Sequence, residues 1–380
     1  MADRSRLRAR AARPALAAVL AAGLALAGCA SACGGAERAA GTAASAPTAP
    51  GAPAAPGGPT PAGWCRGSTH VHSGNSGDST TPPEEVAAWY ERAGADFIVF
   101  TDHNFVTELP GWTGHLAVAP GVEITRNVRL WDPVRGAPGE LVPMHVNALF
   151  VAAGHGGPLP PVVVPPDTAR ADVYAEELAL ATSLGGLPSL NHPTFHSAVD
   201  AALFARLAAG GLRFFEVGNA SIDVHNEGED GGPSTDALWD VALDGGATVW
   251  GLASDDAHHY ADADAVEATG EPAFRPGRGW IMVHAATCAP PALRAAMDGG
   301  DFYATTGPLL TAVERGAGEM RLAAAAPSTF RFVGPGGATL SEVHGTEARY
   351  RYRRGDLWVR AVVEDAAGRR AWVQPVRPSF

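Results

Sequence analysis

Thr69-His70-Val71-His72 closes the strand-like run that begins at Cys65, and it carries two histidines at i and i+2. Side chains two apart on a strand leave the same face, so both imidazoles can reach one cation if that end of the strand lines a pocket. Taken alone, the pair has a plain alternative, two satisfied core histidines. Its weight comes from the residues downstream. The later strand-like segments each bring a further ligand-type residue: Asp102-His103, Glu123, His145, His192, and Asp256 with His258. Solvated surface charge would not fall so regularly at the ends of apolar runs.

Outward from the pair, the chain alternates. Thr80-Thr81-Pro82-Pro83-Glu84-Glu85 offers an N-cap hydroxyl, early prolines and first-turn acids, and Val86, Trp89, Tyr90 and Ala93 supply the apolar face of a helix. Asp96 to Phe100 reads as a buried strand ending in Thr101-Asp102-His103. A third strand, His115 to Ile124, ends at Gly121-Val122-Glu123, and a fourth, Met144 to Val151, starts with His145. Helices are expected near Arg170 to Leu184, Val199 to Ala209 and Thr235 to Leu243. They lead to strands whose ends carry Asn191-His192-Pro193, Glu216 to Asn219, and Ser254 to His258. Short β-branched or aromatic strands alternating with helices predict a parallel α/β barrel, with function at the C-terminal strand ends. His145, at the start of its run, is the exception. The polar stretches 104–114, 126–143 and 259–279 are expected to wall the pocket.

The flanks read differently. Residues 1–29 have an arginine-rich start and then an apolar stretch from Ala15 to Ala27, the pattern of a secretory signal. The segment ends Leu26-Ala27-Gly28-Cys29, which resembles the lipobox of bacterial lipoproteins, with Cys29 as the lipidated residue. Residues 30–63, almost wholly Ala, Gly, Pro, Thr and Ser, have little to bury and read as a disordered tether. The expected placement is therefore exported, in a bacterial cell envelope, with a lipid holding the chain to a membrane. Past Pro308 the helical signals stop, and residues 309–380 read as a small all-β domain with nothing catalytic in it. Cys65 and Cys288 could pair in an exported protein, although spacing does not fix the connectivity. The formal net charge is −12, and all 28 basic residues are arginine, so a general affinity for nucleic acid is not expected.

Taken in order, the motifs resemble the PHP (polymerase and histidinol phosphatase) family of phosphoesterases, in particular its carbaryl-hydrolase-like branch. The matching pieces are His70-x-His72, Asp102-His103, Gly121-Val122-Glu123, His145, His192-Pro193 and Asp256-x-His258, over residues 64–308. The resemblance implies a distorted seven-stranded (β/α) barrel and two or three divalent ions, Zn, Mn or Fe. It assigns His70, His72, Glu123 and Asp256 to a first metal, and Glu123, His145 and His192 to a second. A third takes His103, His258 and Asp78. Asp102, Glu123 and His103 are the expected catalytic residues, Asp102 by orienting a neighbouring histidine. Asp255 competes with Asp256; the Asp-x-His spacing, which puts acid and imidazole on one side of a strand, favours Asp256.

Mixed imidazole and carboxylate donors suit these ions, and no Ser or Cys nucleophile is needed. The expected activity is a phosphoesterase on small phosphomonoesters or nucleotide-type substrates through a metal-bound hydroxide. A carbamate or carboxylic-ester hydrolase is the alternative, and a non-catalytic metal-containing binding lipoprotein is a third reading. A structural site would be closed by protein ligands, whereas catalysis needs an open position.

Overall fold

A computed structural model describes residues 60–129, 141–165, 168–229 and 231–380. The expected signal segment, Cys29, nearly all of the tether and the middle of the 126–143 stretch lie outside the described residues. In chain order the first half comprises β1 (Trp64–Ser68), α1 (Pro83–Arg92), β2 (Phe97–Val99), β3 (Phe105–Val106), β4 (Ala117–Ala119), β5 (Val122–Arg129), β6 (Leu141–Leu149) and β7 (Gly157–Pro158). It continues through α2 (Arg170–Ser183), β8 (Leu187–Leu190), α3 (Ala201–Ala209), β9 (Phe214–Asn219), α4 (Thr235–Asp244), β10 (Trp250–Ser254) and α5 (Ala263–Ala268). Then come β11 (Trp280–His284), α6 (Pro290–Asp298) and β12 (Phe302–Thr305), and after them strands alone: β13 (Leu310–Arg315), β14 (Glu319–Gly334), β15 (Ala338–Arg351), β16 (Val359–Glu364) and β17 (Arg370–Val376).

The helices begin where local chemistry favours it, though not always as expected. Pro82 and Pro83 start α1, and no side chain caps it; Thr80 instead donates to Asp262 Oδ2 at 3.0 Å. Proline at the first helical position forfeits an N–H that would be unsatisfied anyway. Asp200 caps α3 by accepting from Leu203 N at 2.8 Å, and Ser234 caps α4 through Ala237 N at 3.1 Å.

The architecture is mixed α/β, built on two large sheets. One has ten strands in the order β13-β14-β16-β17-β12-β11-β1-β2-β4, with β15 on β14; the other runs β10-β9-β8-β6-β5. The expected distorted seven-stranded barrel is not confirmed: the described strands form no closed hydrogen-bonded ring. One break falls between β4 and β5, which meet across Pro120-Gly121. Opposite it, β10 and β11 come so close that a Cβ on Gly279 would strike the Ser254 carbonyl, yet no ladder joins them. Nor are the strands uniformly parallel. β6 is antiparallel to β5 and β8, and β11 is antiparallel to β1 and β12. The 130–140 connection is shorter than the dozen or so residues that a parallel crossover requires.

One core lies between the two sheets and under their helices, with Phe97, Val99, Met144, Val146, Phe214 and Phe302 at its centre. A second core joins Trp280, Met282 and Tyr303 to Phe330, Phe332 and Val363 of the C-terminal strands. Those strands extend the same sheet that holds β1, because β17 pairs with β12. Trp358 and Trp372 belong to the first core. Arg360, 2% exposed, pairs with Asp236 and Asp240 at 2.8 Å each and lies over the Trp239 ring. A disulfide joins Cys65 to Cys288. Among the described residues no helix is long and apolar enough to cross a membrane.

Candidate metal centre

The end of β1 is fixed by its neighbours: Val71 N donates to Thr101 Oγ1 at 2.9 Å and His72 N to the Ala257 carbonyl at 3.1 Å. His70 and His72 are thereby buried with both rings turned to one centre. Nδ1 of His70 lies 2.8 Å from Glu216 Oε1, which leaves Nε2 facing Glu123 Oε1 at 3.3 Å and Asp256 Oδ1 at 3.2 Å. His72 is oriented by Ser76 Oγ at 2.8 Å from Nδ1, and its Nε2 lies 3.1 Å from Asp256 Oδ1.

Glu123, 1% exposed, is the hub. Its oxygens lie 3.0 Å from His145 Nδ1, 3.5 Å from His192 Nε2 and 2.7 Å from His103 Nδ1. Asp78, half exposed, stands at the other side, 3.1 Å from His103 Nε2 and 3.4 Å from His258 Nε2. Three overlapping groups have donor atoms within 4.8 Å of one another: His72 with Asp78, His103 and His258; His70 with His72 and Glu123; and His103 with Glu123 and His145. The nine expected ligands therefore converge, with Asp256 and His192 beside these groups. His72, expected at the first metal only, falls within both the Asp78 group and the His70–Glu123 group.

Two observations test whether cations fit here. Among the described residues His70 Nε2 and Glu123 Oε2 are buried without a well-formed hydrogen bond, although carboxylate oxygens stand 3.2 and 3.3 Å from the first and the His103 and His72 ring nitrogens 2.7 and 3.6 Å from the second. Orphaned buried polar atoms are costly, and a cation between lone pairs removes that cost. The second observation is electrostatic. Burial alone would raise Glu123, but His145, His103 and His70 outweigh it and hold its carboxyl well below the usual range. Burial and the neighbouring His258 push His72 down to about 3, whereas Glu123 and Asp78 overcome burial and push His103 up to about 10. Rings this close cannot all carry protons, so metal loading would proceed with proton release.

Asp255 and Asp256 separate cleanly. Asp256, with φ of 50°, turns its carboxylate into the histidines. Asp255 faces away and accepts from Ser68 Oγ and Tyr90 OH, both at 3.1 Å, and from Gly277 N at 2.5 Å. His192 also sits at positive φ, 23°. Non-glycine residues in that region cost about 1–3 kcal/mol each and persist where the surroundings over-determine them. Asp102 is placed differently from its expected role. Its carboxylate accepts from Ser73 N, Ser73 Oγ and Thr107 Oγ1, fixing the loop after His72.

Several supporting residues carry no clear mark in the sequence. Asn127 Oδ1 lies 2.9 Å from His145 Nε2, Thr125 Oγ1 lies 2.7 Å from His103 Nδ1, and Asn191 donates to Glu123 Oε1 at 2.7 Å. Glu216 accepts from His192 N at 2.7 Å and from Asn219 Nδ2 at 2.9 Å. Such partners set ring orientation and ligand basicity. The one available signal is an acid inside the apolar run Phe214–Val217. The centre opens to a cleft of about 220 Å³, whose far walls include Phe195, Val224, Phe274, Ser221 and Asp223. His259 lines it too.

No family model matches the chain, and no curated protein matches it. Among solved structures it is similar to a two-domain protein from Bacteroides vulgatus containing a predicted PHP-like metal-dependent phosphoesterase. The two are 18% identical, with 80% of this chain and 92% of that one covered and a TM-score of 0.44. An endonuclease/exonuclease/phosphatase from Beutenbergia cavernae is similar at 11% identity, 83% and 100% coverage and a TM-score of 0.22. What this chain can do is read from its own centre: a buried array of imidazole and carboxylate donors, able to hold metal ions, beneath an open cleft.

Proposed function

We propose that the chain is a metal-dependent hydrolase of phosphoesters, acting on small phosphomonoesters or nucleotide-type substrates. The convergence of His70 Nε2 and Glu123 Oε2, buried and unbonded, on Asp256 and the other histidines carries this reading. His70, His72, Glu123 and Asp256 would hold one cation, Glu123, His145 and His192 a second, and Asp78, His103 and His258 a third. Divalent cations there would supply Lewis acidity, acidifying water and offsetting charge on ester oxygens. The chain's own residues do the rest. Glu216 and Asn127 hold the His70 and His145 rings in register, Asn219 donates to Glu216 and Asp256, and Phe195 and Phe274 exclude water from one side of the cleft. Ser221 donates to Asp223 Oδ1 at 2.6 Å, which aims a carboxylate at the cleft where it can accept from substrate hydroxyls.

A second reading keeps the cations and changes the bond. Among the described residues no arginine lines the cleft, and Phe195, Val224 and Phe274 give it an apolar wall, which favours a neutral carbamate or carboxylic ester. The exported, lipid-anchored placement expected from Leu26 to Cys29 belongs to the same proposal. The Cys65–Cys288 bond supports it, since such bonds persist mainly in oxidising compartments.

The test is metal content by mass spectrometry, with aryl phosphate and aryl ester hydrolysis measured before and after chelation. Bound divalent metal and chelator-sensitive phosphate release are expected. Ester hydrolysis without phosphate release would establish the second reading. A folded chain that stays inactive after Mn²⁺ or Zn²⁺ is supplied would refute both.

A further inference from the structure

A second cavity, also of about 220 Å³, is lined by β1, the C-terminal half of α1 and the 255–280 segment, and shares no lining residue with the metal cleft. Its walls are mainly apolar, with Trp89, Tyr90 and Ala93 on one side and Trp280 on another. Into this lining the chain sets a charge. Arg66 is 5% exposed, and its guanidinium lies 4.2 Å from the centre of the Trp280 ring. Among the described residues that guanidinium makes no hydrogen bond or ion pair; the residue's own bond runs from its backbone N to Asp96 Oδ2.

A buried charge without a hydrogen-bonded counter-ion costs several kcal/mol. Tyr303, Asp255 and Asp96 act on Arg66 without a hydrogen bond to its guanidinium, and the oxygens of Asp255, which borders the same cavity, accept from Ser68, Tyr90 and Gly277. One cavity is thus bordered by a cation whose N–H groups lack an acceptor among the described residues, within walls that otherwise favour apolar carbon.

We propose that this cavity binds a small monocarboxylic acid with an aromatic or branched aliphatic body, its carboxylate on Arg66 and its body against Trp89, Tyr90 and Trp280. The size agrees. An apolar cavity of about 150 Å³ holds benzene, so this one admits a ring bearing a carboxylate. A planar guanidinium is matched to a carboxylate by two parallel hydrogen bonds, and stacking on indole leaves its N–H edge free to make them. The site is separate from the hydrolytic centre and does not depend on the substrate assigned there.

The experiment is calorimetric titration of the full, metal-loaded chain with benzoate and isovalerate, and with benzamide and benzylamine as neutral and cationic counterparts. Saturable binding of the acids is expected, roughly tenfold tighter than the amide or amine. Arg66→Met should weaken the acids by roughly tenfold or more, with metal content unchanged. Ala95→Leu, at the half-buried rim, should do the same by filling space while every charge stays in place; it carries the test if Arg66→Met does not fold. Acids that bind Arg66→Met or Ala95→Leu as well as the parent would be metal-centre ligands and would overturn the assignment. Equal binding of benzamide, or no saturation by about 10 mM acid, would overturn it too.

Discussion

Glu123 and Glu216 divide the electrostatics of the centre between them. Glu123 stands within 3.6 Å of five imidazoles and supplies charge where cations would sit, while Glu216 supports His70 from behind. Replacing them therefore has different consequences. Glu123→Gln removes the shared charge and is expected to abolish metal retention through dialysis. Glu216→Gln keeps the shape and weakens only ring basicity, so metal affinity should fall by about 10–100-fold in a chelator competition. Equal affinities for parent and Glu216→Gln would remove Glu216 from the centre's support. The metal-type residues are legible because histidine and acid at strand ends are few and their spacing is regular. Asn127, Asn191 and Asn219 are not, since an amide near a strand end is ordinary and reveals its role only when its partner is in view. Asp102 shows the reverse: its neighbour His103 suggests a catalytic partner, but the donors that reach it belong to Ser73 and Thr107, five residues along the chain and further.

Among the elements, α2 carries the least expected side chain. Glu177 is 1% exposed and among the described residues neither carboxylate oxygen has a hydrogen-bond partner, so burial pushes its pKa well above the ordinary value despite the opposing influence of Arg126. The sign of the effect on stability is fixed. Above the ordinary pKa the unfolded chain loses this proton while the folded chain keeps it, so stability falls as pH rises, by about 1.4 kcal/mol per unit until the folded group titrates. Glu177→Gln should match the parent near pH 4 and be the more stable near pH 8 in urea melts; a pH-independent difference would contradict the assignment. Element type is readable where punctuation is strong, as at Pro82-Pro83 before α1 and Asp200 before α3. Strand direction is not. His145 is an exception, at the start of its run, only if β6 is parallel; in an antiparallel strand reaching back to Leu141, His145 lies mid-strand opposite Thr125, and the inconsistency disappears.

In the molecule as a whole, the strands after Pro308 are bound to those that carry the centre. Gln374 of β17 exchanges two hydrogen bonds with Gly251 of β10, at 2.9 and 2.7 Å, and β10 leads directly into Asp255-Asp256. Ending the chain at Pro308 would expose Trp280, Met282 and Tyr303 and leave the Gly251 amide unpaired, so such a chain is expected to be insoluble or unfolded. The intact protein should melt in one calorimetric transition; two resolved transitions would show that the parts fold separately. The sequence can show that 309–380 is β-rich but not what it pairs with, because strand pairing is a non-local property. The disulfide adds a property of another kind. Cys65 is joined to Cys288, 223 residues away, and among the described residues none of the donors gathered around Glu123 is a thiolate. Oxidation that closes the covalent link therefore leaves these imidazole and carboxylate atoms chemically untouched, so curing of the chain and any charging of its centre can proceed in either order and in the same surroundings.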